Sequence, residues 1–574
     1  MAAPDAPPAQ VAAAEAGSPE LQAAVRALVG DRALKDAQVG VVLMDVETGA
    51  VLAQANEHLV LNPASNAKLY TAAAALGILH GSHRYQTTLN GTIKSNAVSG
   101  PLVLRGQGDP SLRTADLWAM AHELKQRGVR RVEGDVLVDQ KFFDELTTPP
   151  AFEQQPNEWA AFRAPVSAVA INGNTVTLAV RPTSAGSPAV AWFDPPGFVD
   201  VTGTVKTAES GADAVVLELA PSGGRLSAKL SGAVAEDANL VRYTRRVDDP
   251  RLLPGYALKA VLEEVGIKVS GDVKLGAAPG KTSTLARHES DPLANLLFAL
   301  GKNSDNFYAE MIFKSLAAEA KGRPGKSQDA ADLVKRWLDK NALSDEGLVV
   351  KNGSGLFDAN RTTAHSVAKL LRFAWQDPTM RSEFVAQLAI GGVDGTLHKR
   401  FRSVRSHRAV RAKTGTLEDA IALSGYVLAP QGKHTVAFSI LFNKVSGHGA
   451  KRKKSTRRLA VSSTANPGAS SRASVPGLTT TSGGLPDARS NLRTIGTCVC
   501  PQTISDTEAS KSTFRRASFE ASASPRSSGF SRCMSSSPTP WQSSSRPPSS
   551  SIEWVGGSDF SSAMEPGASC VMRW

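Results

Sequence analysis

Ser65 stands three residues before Lys68 in the stretch NPASNAKLYTAAAAL, residues 62–76. Pro63 suits a first helical turn, where its missing N–H is no loss, and the run after Lys68 is made of strong helix formers. Serine and lysine three apart project from one face of such a turn. The unpaired N–H groups and positive dipole at a helix start disfavour a further cation, which pushes Lys68 toward its neutral, basic form. A neutral amine beside a serine hydroxyl makes a nucleophile, and free backbone N–H groups nearby suit an oxyanion.

The pattern alone decides little, because the chain repeats it as Ser366 to Lys369 in HSVAKLL. Two further motifs select between the copies. Ser304-Asp305-Asn306 lies in GKNSDNFYAE, in an expected turn between helices, and Lys413-Thr414-Gly415-Thr416 lies in RAKTGTLEDA, near the end of an expected strand. Each is weak alone, but the order Ser-x-x-Lys, Ser-Asp-Asn, Lys-Thr-Gly, with each motif in suitable local structure, is far rarer by chance. Only Ser65 precedes both; Ser366 falls between them, in a helix that reads as ordinary packing. His80 and His83 offer two metal ligands without a third, so they are expected to end the Ser65 helix instead.

The elements that must position these groups follow from texture. A helix opens at Ser18-Pro19-Glu20, and VGVVLMDVETGAVLAQA reads as a hairpin around Glu47-Thr48-Gly49. From about Gly91 to about Ala286 short strands and glycine turns dominate, which reads as an all-β middle. Helices return with DPLANLLFALGKNSDNFYAEMIFKSLAAEA, and three strands close the body: VRAKTGTL, IALSGYVLA and HTVAFSILFN, the last two joined through Pro430-Gln431-Gly432-Lys433. The simplest organisation is one domain split by an insertion. Its segments are a lead over 1–17, a discontinuous domain over 18–90 and 287–449, inserted pieces over 91–170 with 241–286 and over 171–240, and a tail over 451–574.

Composition narrows the function classes. The 574 residues are 41% hydrophobic, ample for several cores, and no apolar run reaches membrane-spanning length. The formal charge of +12 is concentrated in the tail: 16 Lys+Arg against 7 Asp+Glu from Lys451 onward gives +9, leaving 65 − 16 = 49 against 53 − 7 = 46, or +3, before it. A nucleic-acid partner is therefore not expected of the body. All four cysteines also lie in the tail, so the body has neither a disulfide framework nor a thiolate metal site. The tail is about a quarter serine with no sustained period, and reads as low-complexity disorder, either a basic extension or residues read out of frame. The opening MAAPDAPPAQVAAAEAG lacks a basic start and an apolar stretch, so no secretory signal is visible in it.

The three ordered motifs, with GQGDPSL, RAPVSAVAINGN, GIKVSGDV, NGSGL, GGVDGTL and KTGTLEDAIALSGYV, resemble the D-alanyl-D-alanine carboxypeptidase/endopeptidase family, the class C low-molecular-mass penicillin-binding proteins. The resemblance runs from about Gly17 to Gly449. It implies an α/β (α+β) fold: a penicillin-binding-protein/β-lactamase-like transpeptidase domain, helices around an antiparallel sheet, split by inserted β-rich domains. It implies Ser65 as the nucleophile, Lys68 as its base, kept neutral by burial and by the charge of Lys413, and Ser304 as proton relay to the leaving amine. Asn306 would hold Lys68 and substrate, Lys413, Thr414 and Thr416 would take the substrate carboxylate, and Gly415 would let the peptide approach the strand. The backbone N–H groups of Ser65 and Thr416 would form the oxyanion hole. Peptidoglycan stem peptides are the implied substrates, β-lactams the covalent inhibitors and the periplasm the location, with no metal or organic cofactor. Readings of another kind are a catalytically silent wall-binding scaffold and a serine β-lactamase. Against the last, no Glu-x-x-Leu-Asn pattern lies between Asn306 and Lys413. The chain departs from the family in opening its NGSGL motif with Asn352, in following it with Phe357-Asp358, and in offering only GHGAKRKKSTRRLAV where a closing helix is usual.

Overall fold

The computed structural model describes residues 18–445, except 212–213, 278–279, 403–407 and 430–433. The expected turn over 430–433, the lead, the tail and the segment GHGAKRKKSTRRLAV lie outside the described residues.

An antiparallel six-stranded sheet joins the early and late parts of the described residues. Its order is Ala389–Ile390, Val410–Thr416, Ala420–Val427, Val436–Asn443, Gln38–Asp45, Val51–Ala55. The first strand of the chain thus lies beside the last described one, with Gln38 opposite Asn443 and Asp45 opposite Val436. Strand alternation sorts the side chains into two cores. Val39, Val41 and Leu43 face Leu21, Val25 and Leu28 of the Pro19–Val29 helix, together with Leu423, Phe438 and Ile440. Val42 and Met44 face Ala364 and Ala368 of the Ala364–Gln376 helix, together with Ala422 and Leu441. The expected hairpin forms between Gln38–Asp45 and Val51–Ala55, closed by Asp45 Oδ1, which accepts from the N–H groups of Glu47 and Thr48 at 2.9 Å each.

The alanine-rich helix Ala67–Leu79 is buried on every side from Ala67 to Leu76. Alanines at 72–75 let neighbouring backbones close in, and the helix packs among Leu293–Gly301, Asn306–Ala320 and Ser327–Lys340. An all-round apolar helix is what a core position requires.

Between Gln86 and Glu289 four further sheets appear. The largest has five strands, ordered Val273–Leu275, Val136–Asp139, Leu102–Gly106, Gln86–Gly91, Ser283–Glu289. A three-stranded sheet is ordered Val190–Asp194, Thr175–Arg181, Val241–Arg246. The all-β reading of this region is corrected by two helices, Thr114–Gln126 and Leu253–Glu264, which pack on each other. Leu117, Met120, Ala121 and Leu124 form the buried face of the first, at helical spacing inside a strand-rich stretch.

Candidate active site

The turn carrying Ser65 is assembled from distant parts of the chain. Ala64–Asn66 forms a single 3-10 turn, and the α-helix begins only at Ala67, so Ser65 stands just before the helix and not within its first α-helical turn. The reason is local: Ala64 adopts φ +47°, a left-handed conformation that costs a non-glycine residue roughly 1–2 kcal/mol. Asn62 holds it there by accepting from the Ala64 N–H at 2.8 Å, and Asn443 of the last strand clamps Asn62, accepting from its N–H at 2.7 Å and donating to its carbonyl at 3.0 Å. Asn66 donates to Ser424 Oγ at 2.7 Å, tying the far side of the turn to the sheet.

Two glycines let other segments reach this turn. A Cβ on Gly355, at φ +72°, would fall 1.9 Å from the Ala64 carbonyl oxygen, so only glycine allows the 352–356 loop to press against it. A Cβ on Gly415 would meet Ala64 Cβ, Pro63 O and Ser65 N, each at 3.0 Å. The bare side of Gly415 faces the serine turn, and it brings the strand against the Ser65 amide. The strand edge beyond it is open among the described residues, because Ala389–Ile390 pairs only with Arg411 and Ala412.

Lys68 is fully buried. Its Nζ lies 3.1 Å from Ser65 Oγ, 2.7 Å from Asn306 Oδ1 and 2.7 Å from the Ser354 carbonyl oxygen. Burial lowers its pKa to about 7, against the opposing charges of Glu310 and Asp305. Burial, and not Lys413, is therefore the main cause of its neutrality; the charge felt between the lysines appears in Lys413, which is pushed well down first by burial and then by Lys68. In its neutral form Lys68 has two N–H bonds for the two carbonyl-type oxygens and a lone pair left for the serine proton.

Ser304 brings in the second lysine, Lys413. It sits at φ +61° in the turn between Leu293–Gly301 and Asn306–Ala320, and Asp305 caps the latter helix by accepting from the Tyr308 N–H at 3.0 Å. Lys413 Nζ donates to Ser304 Oγ and to the Thr414 carbonyl oxygen, both at 2.7 Å. The Thr414 hydroxyl donates to Thr396 Oγ1 at 2.9 Å, while Thr416 is exposed. The serine turn, the 304–306 turn and the 413–416 strand thus meet through Lys68 with Ser65 and Asn306, Lys413 with Ser304, and Gly415 against the Ser65 amide.

Three contributors were not foreseen. Ser354 supplies a carbonyl to Lys68; Glu310, fully buried and with its pKa raised by that burial, accepts from the N–H groups of Gly353 and Ser354 at 3.1 and 2.7 Å. The third is the Phe162 carbonyl, which accepts from Asn306 Nδ2 at 3.1 Å and so fixes the amide with its oxygen toward Lys68. The NGSGL motif signalled the first; nothing in the sequence signals a backbone carbonyl such as that of Phe162. Of the remaining candidates, His80 ends the Ala67–Leu79 helix at φ +67°, and His83 sets its ring edge-on to Tyr85 at 4.8 Å.

Known proteins share this arrangement of elements. The solved structure of penicillin binding protein 4 (dacB) from Haemophilus influenzae superposes with a TM-score of 0.61 at 25% identity, covering 73% of this chain and 92% of that one. The fold is that of a penicillin-binding protein. The D-alanyl-D-alanine carboxypeptidase of Actinomadura sp. (strain R39) is 34% identical over 77% of this chain and 84% of its own length. The D-alanyl-D-alanine carboxypeptidase DacB of Haemophilus influenzae is 26% identical over 71% of this chain and 86% of its own. The model of the D-Ala-D-Ala carboxypeptidase 3 (S13) family matches residues 21–466, and the chain belongs to that family.

Proposed function

We propose that the protein is a serine-type D-Ala-D-Ala carboxypeptidase acting on peptidoglycan stem peptides in the periplasm through a Ser65 acyl-enzyme. The observation that carries this reading is the buried Lys68 amine, with a pKa near 7, at 3.1 Å from Ser65 Oγ. Ser65 Oγ attacks the carbonyl carbon of the penultimate D-alanine while Lys68 Nζ takes its proton. The new oxyanion is held by the backbone N–H groups of Ser65 and Thr416, each donor contributing about 3 kcal/mol. The C–N bond then breaks as Ser304, in contact with Lys413, passes a proton to the departing amine. Water then adds its hydroxyl to the ester carbon and gives its proton to Ser304, while Lys68 returns the serine proton to Ser65 as the ester C–O bond breaks.

Substrate lies along the open edge of the Val410–Thr416 strand, its terminal carboxylate on the hydroxyls of Thr414 and Thr416 and in the positive potential of Lys413. Asn306 steadies Lys68 and the peptide amide. The same steps cleave a cross-link when the leaving amine belongs to a neighbouring stem, which extends the activity to an endopeptidase. A β-lactam enters by the same acylation, and its tethered leaving group then keeps water from the ester.

Intact-mass measurement after a penicillin pulse tests this. Wild-type protein gains one adduct that persists for minutes and maps to Ser65, Ser65→Ala gains none, and a D-Ala-D-Ala peptide is turned over. Loss of the adduct within seconds with accumulation of hydrolysed drug makes the protein a β-lactamase; a folded protein that takes no adduct makes it a silent scaffold.

A further inference from the structure

The three-stranded sheet presents one face to the core and one to a cleft. Rows Phe193–Leu178–Tyr243 and Ala191–Val180–Val241 point inward, to the hydrophobic core of the inserted region. By alternation, the outer face carries the rows Trp192–Ala179–Arg242 and Asp194–Thr177–Thr244. A small residue between two large ones leaves a hollow, and Trp118 of the Thr114–Gln126 helix lines the same cleft, whose volume is about 460 Å³. That lies within the roughly 300–1,000 Å³ of small-molecule sites.

The lining is unusual for a surface with no role. Trp192 is 40% exposed, although its strand neighbours Ala191 and Phe193 pack against the core. Trp118, only partly buried, stacks on His122 at 6.0 Å between ring centroids. The same lining carries hydroxyls and a carboxylate already held in place: Thr114 Oγ1 donates to Asp194 Oδ1 at 2.7 Å, and the hydroxyls of Thr177 and Thr244 are 2.8 Å apart. Arg242 and Glu264 line the cleft, and neither side chain makes a hydrogen bond or ion pair to a described residue.

We infer that this cleft binds a glycan of N-acetylated amino sugars. Indole faces complement the apolar C–H faces of pyranose rings, and the polar groups beside them match the hydroxyls and acetamido groups at the ring edges. Charge narrows the ligand further. Asp194 and Glu264 against Arg242 leave the cleft with a net charge of about −1, which disfavours nucleic acid and other polyanions and suits an uncharged, hydroxyl-rich chain. The cleft uses none of the residues around Ser65, so the inference goes beyond the peptidase reading and is tested apart from it.

The test is titration of the full-length protein with a soluble tetramer of N-acetylglucosamine, read by tryptophan fluorescence and calorimetry. Binding is expected, weakened at least ~10-fold in Trp192→Ala and several-fold in Arg242→Ala, and unchanged in Ser65→Ala. Both cleft variants replace surface-accessible side chains, and unchanged melting temperatures verify that they fold. Co-sedimentation with purified cell-wall sacculi and with chitin separates the sources: retention on both assigns any such glycan, and retention on sacculi alone assigns the wall polymer. Trp192→Ala is expected to turn over a sugar-free D-Ala-D-Ala peptide at the wild-type rate, while losing retention on sacculi. Absence of binding at millimolar oligosaccharide, equal binding by Trp192→Ala, or displacement by a sugar-free stem peptide overturns the inference.

Discussion

Ser65–Lys68 and Ser366–Lys369 are the same four-residue pattern in two settings. At the first, Lys68 is wholly buried and its Nζ meets only uncharged oxygens, from Ser65, Asn306 and Ser354. At the second, Lys369 reaches Asp345 Oδ1 at 3.0 Å and the Ser344 carbonyl at 3.3 Å from a partly exposed position. Burial pushes the Asp345 carboxyl up, but hydrogen bonds from His365, Thr363 and Lys369 outweigh it and hold the group well below the usual carboxylate range. The serines differ as much. Ser366 is inside a helix and donates to the Leu343 carbonyl at 2.7 Å, with the Tyr70 hydroxyl at 2.9 Å. The pattern itself therefore makes no base; burial without an ion-pair partner does, and the neighbouring segments decide which copy receives it.

The largest effect expected from breaking this contrast is in the lysines. Lys68→Ala is expected to lower the rate of penicillin acylation by roughly 10²–10⁴-fold, the usual worth of a positioned base, whereas Lys369→Ala leaves it within about twofold. Stopped-flow or mass-resolved acylation rates check both. Next comes the pH dependence. If Lys68 is the proposed base it acts when neutral, and with its pKa lowered to about 7 kcat/KM on a D-Ala-D-Ala peptide should rise with pH through an apparent pKa of about 7. Stability has the same sign: the folded state releases the Lys68 proton at a lower pH than the unfolded chain does, so this group makes folding more favourable as pH rises from about 7 toward its ordinary 10.5. A flat acylation profile between pH 6 and 8 would remove Lys68 as the base. The smallest effect is that of Ser366→Ala, which leaves the Leu343 carbonyl without this donor and should cost about 1–3 kcal/mol of stability with acylation unchanged, as read by melting temperature beside adduct formation.

Much of the catalytic half was legible because its signals are local. The Ser18 cap, the Asp45-closed hairpin and the three closing strands follow from periodicity and turn chemistry within a few residues. The three motifs were legible through their order, which substitutes for the distances that a sequence does not contain. What failed did so for physical reasons. The positive φ of Ala64 depends on Asn443 and the rest of the last strand, far along the chain. The Ser354 and Phe162 carbonyls belong to the backbone, so no residue type announces them. The helices Thr114–Gln126 and Leu253–Glu264 carry a helical spacing of apolar residues, but the glycine turns and short strands around them dominate the regional composition.

The pairing of Gln38–Asp45 with Val436–Asn443 has a consequence in time. A ribosome releases the chain from its N-terminus, so the first strand, with Val41 and Val42 ready for burial, waits unpaired on one side until nearly all of the described protein has been made. Non-local contacts of this kind close slowly, since the entropy of a very long loop is lost before any pairing rewards it. The clamp of Asn443 on Asn62 is then among the last contacts to form, and the serine turn that it holds cannot take its final shape before the sheet is complete.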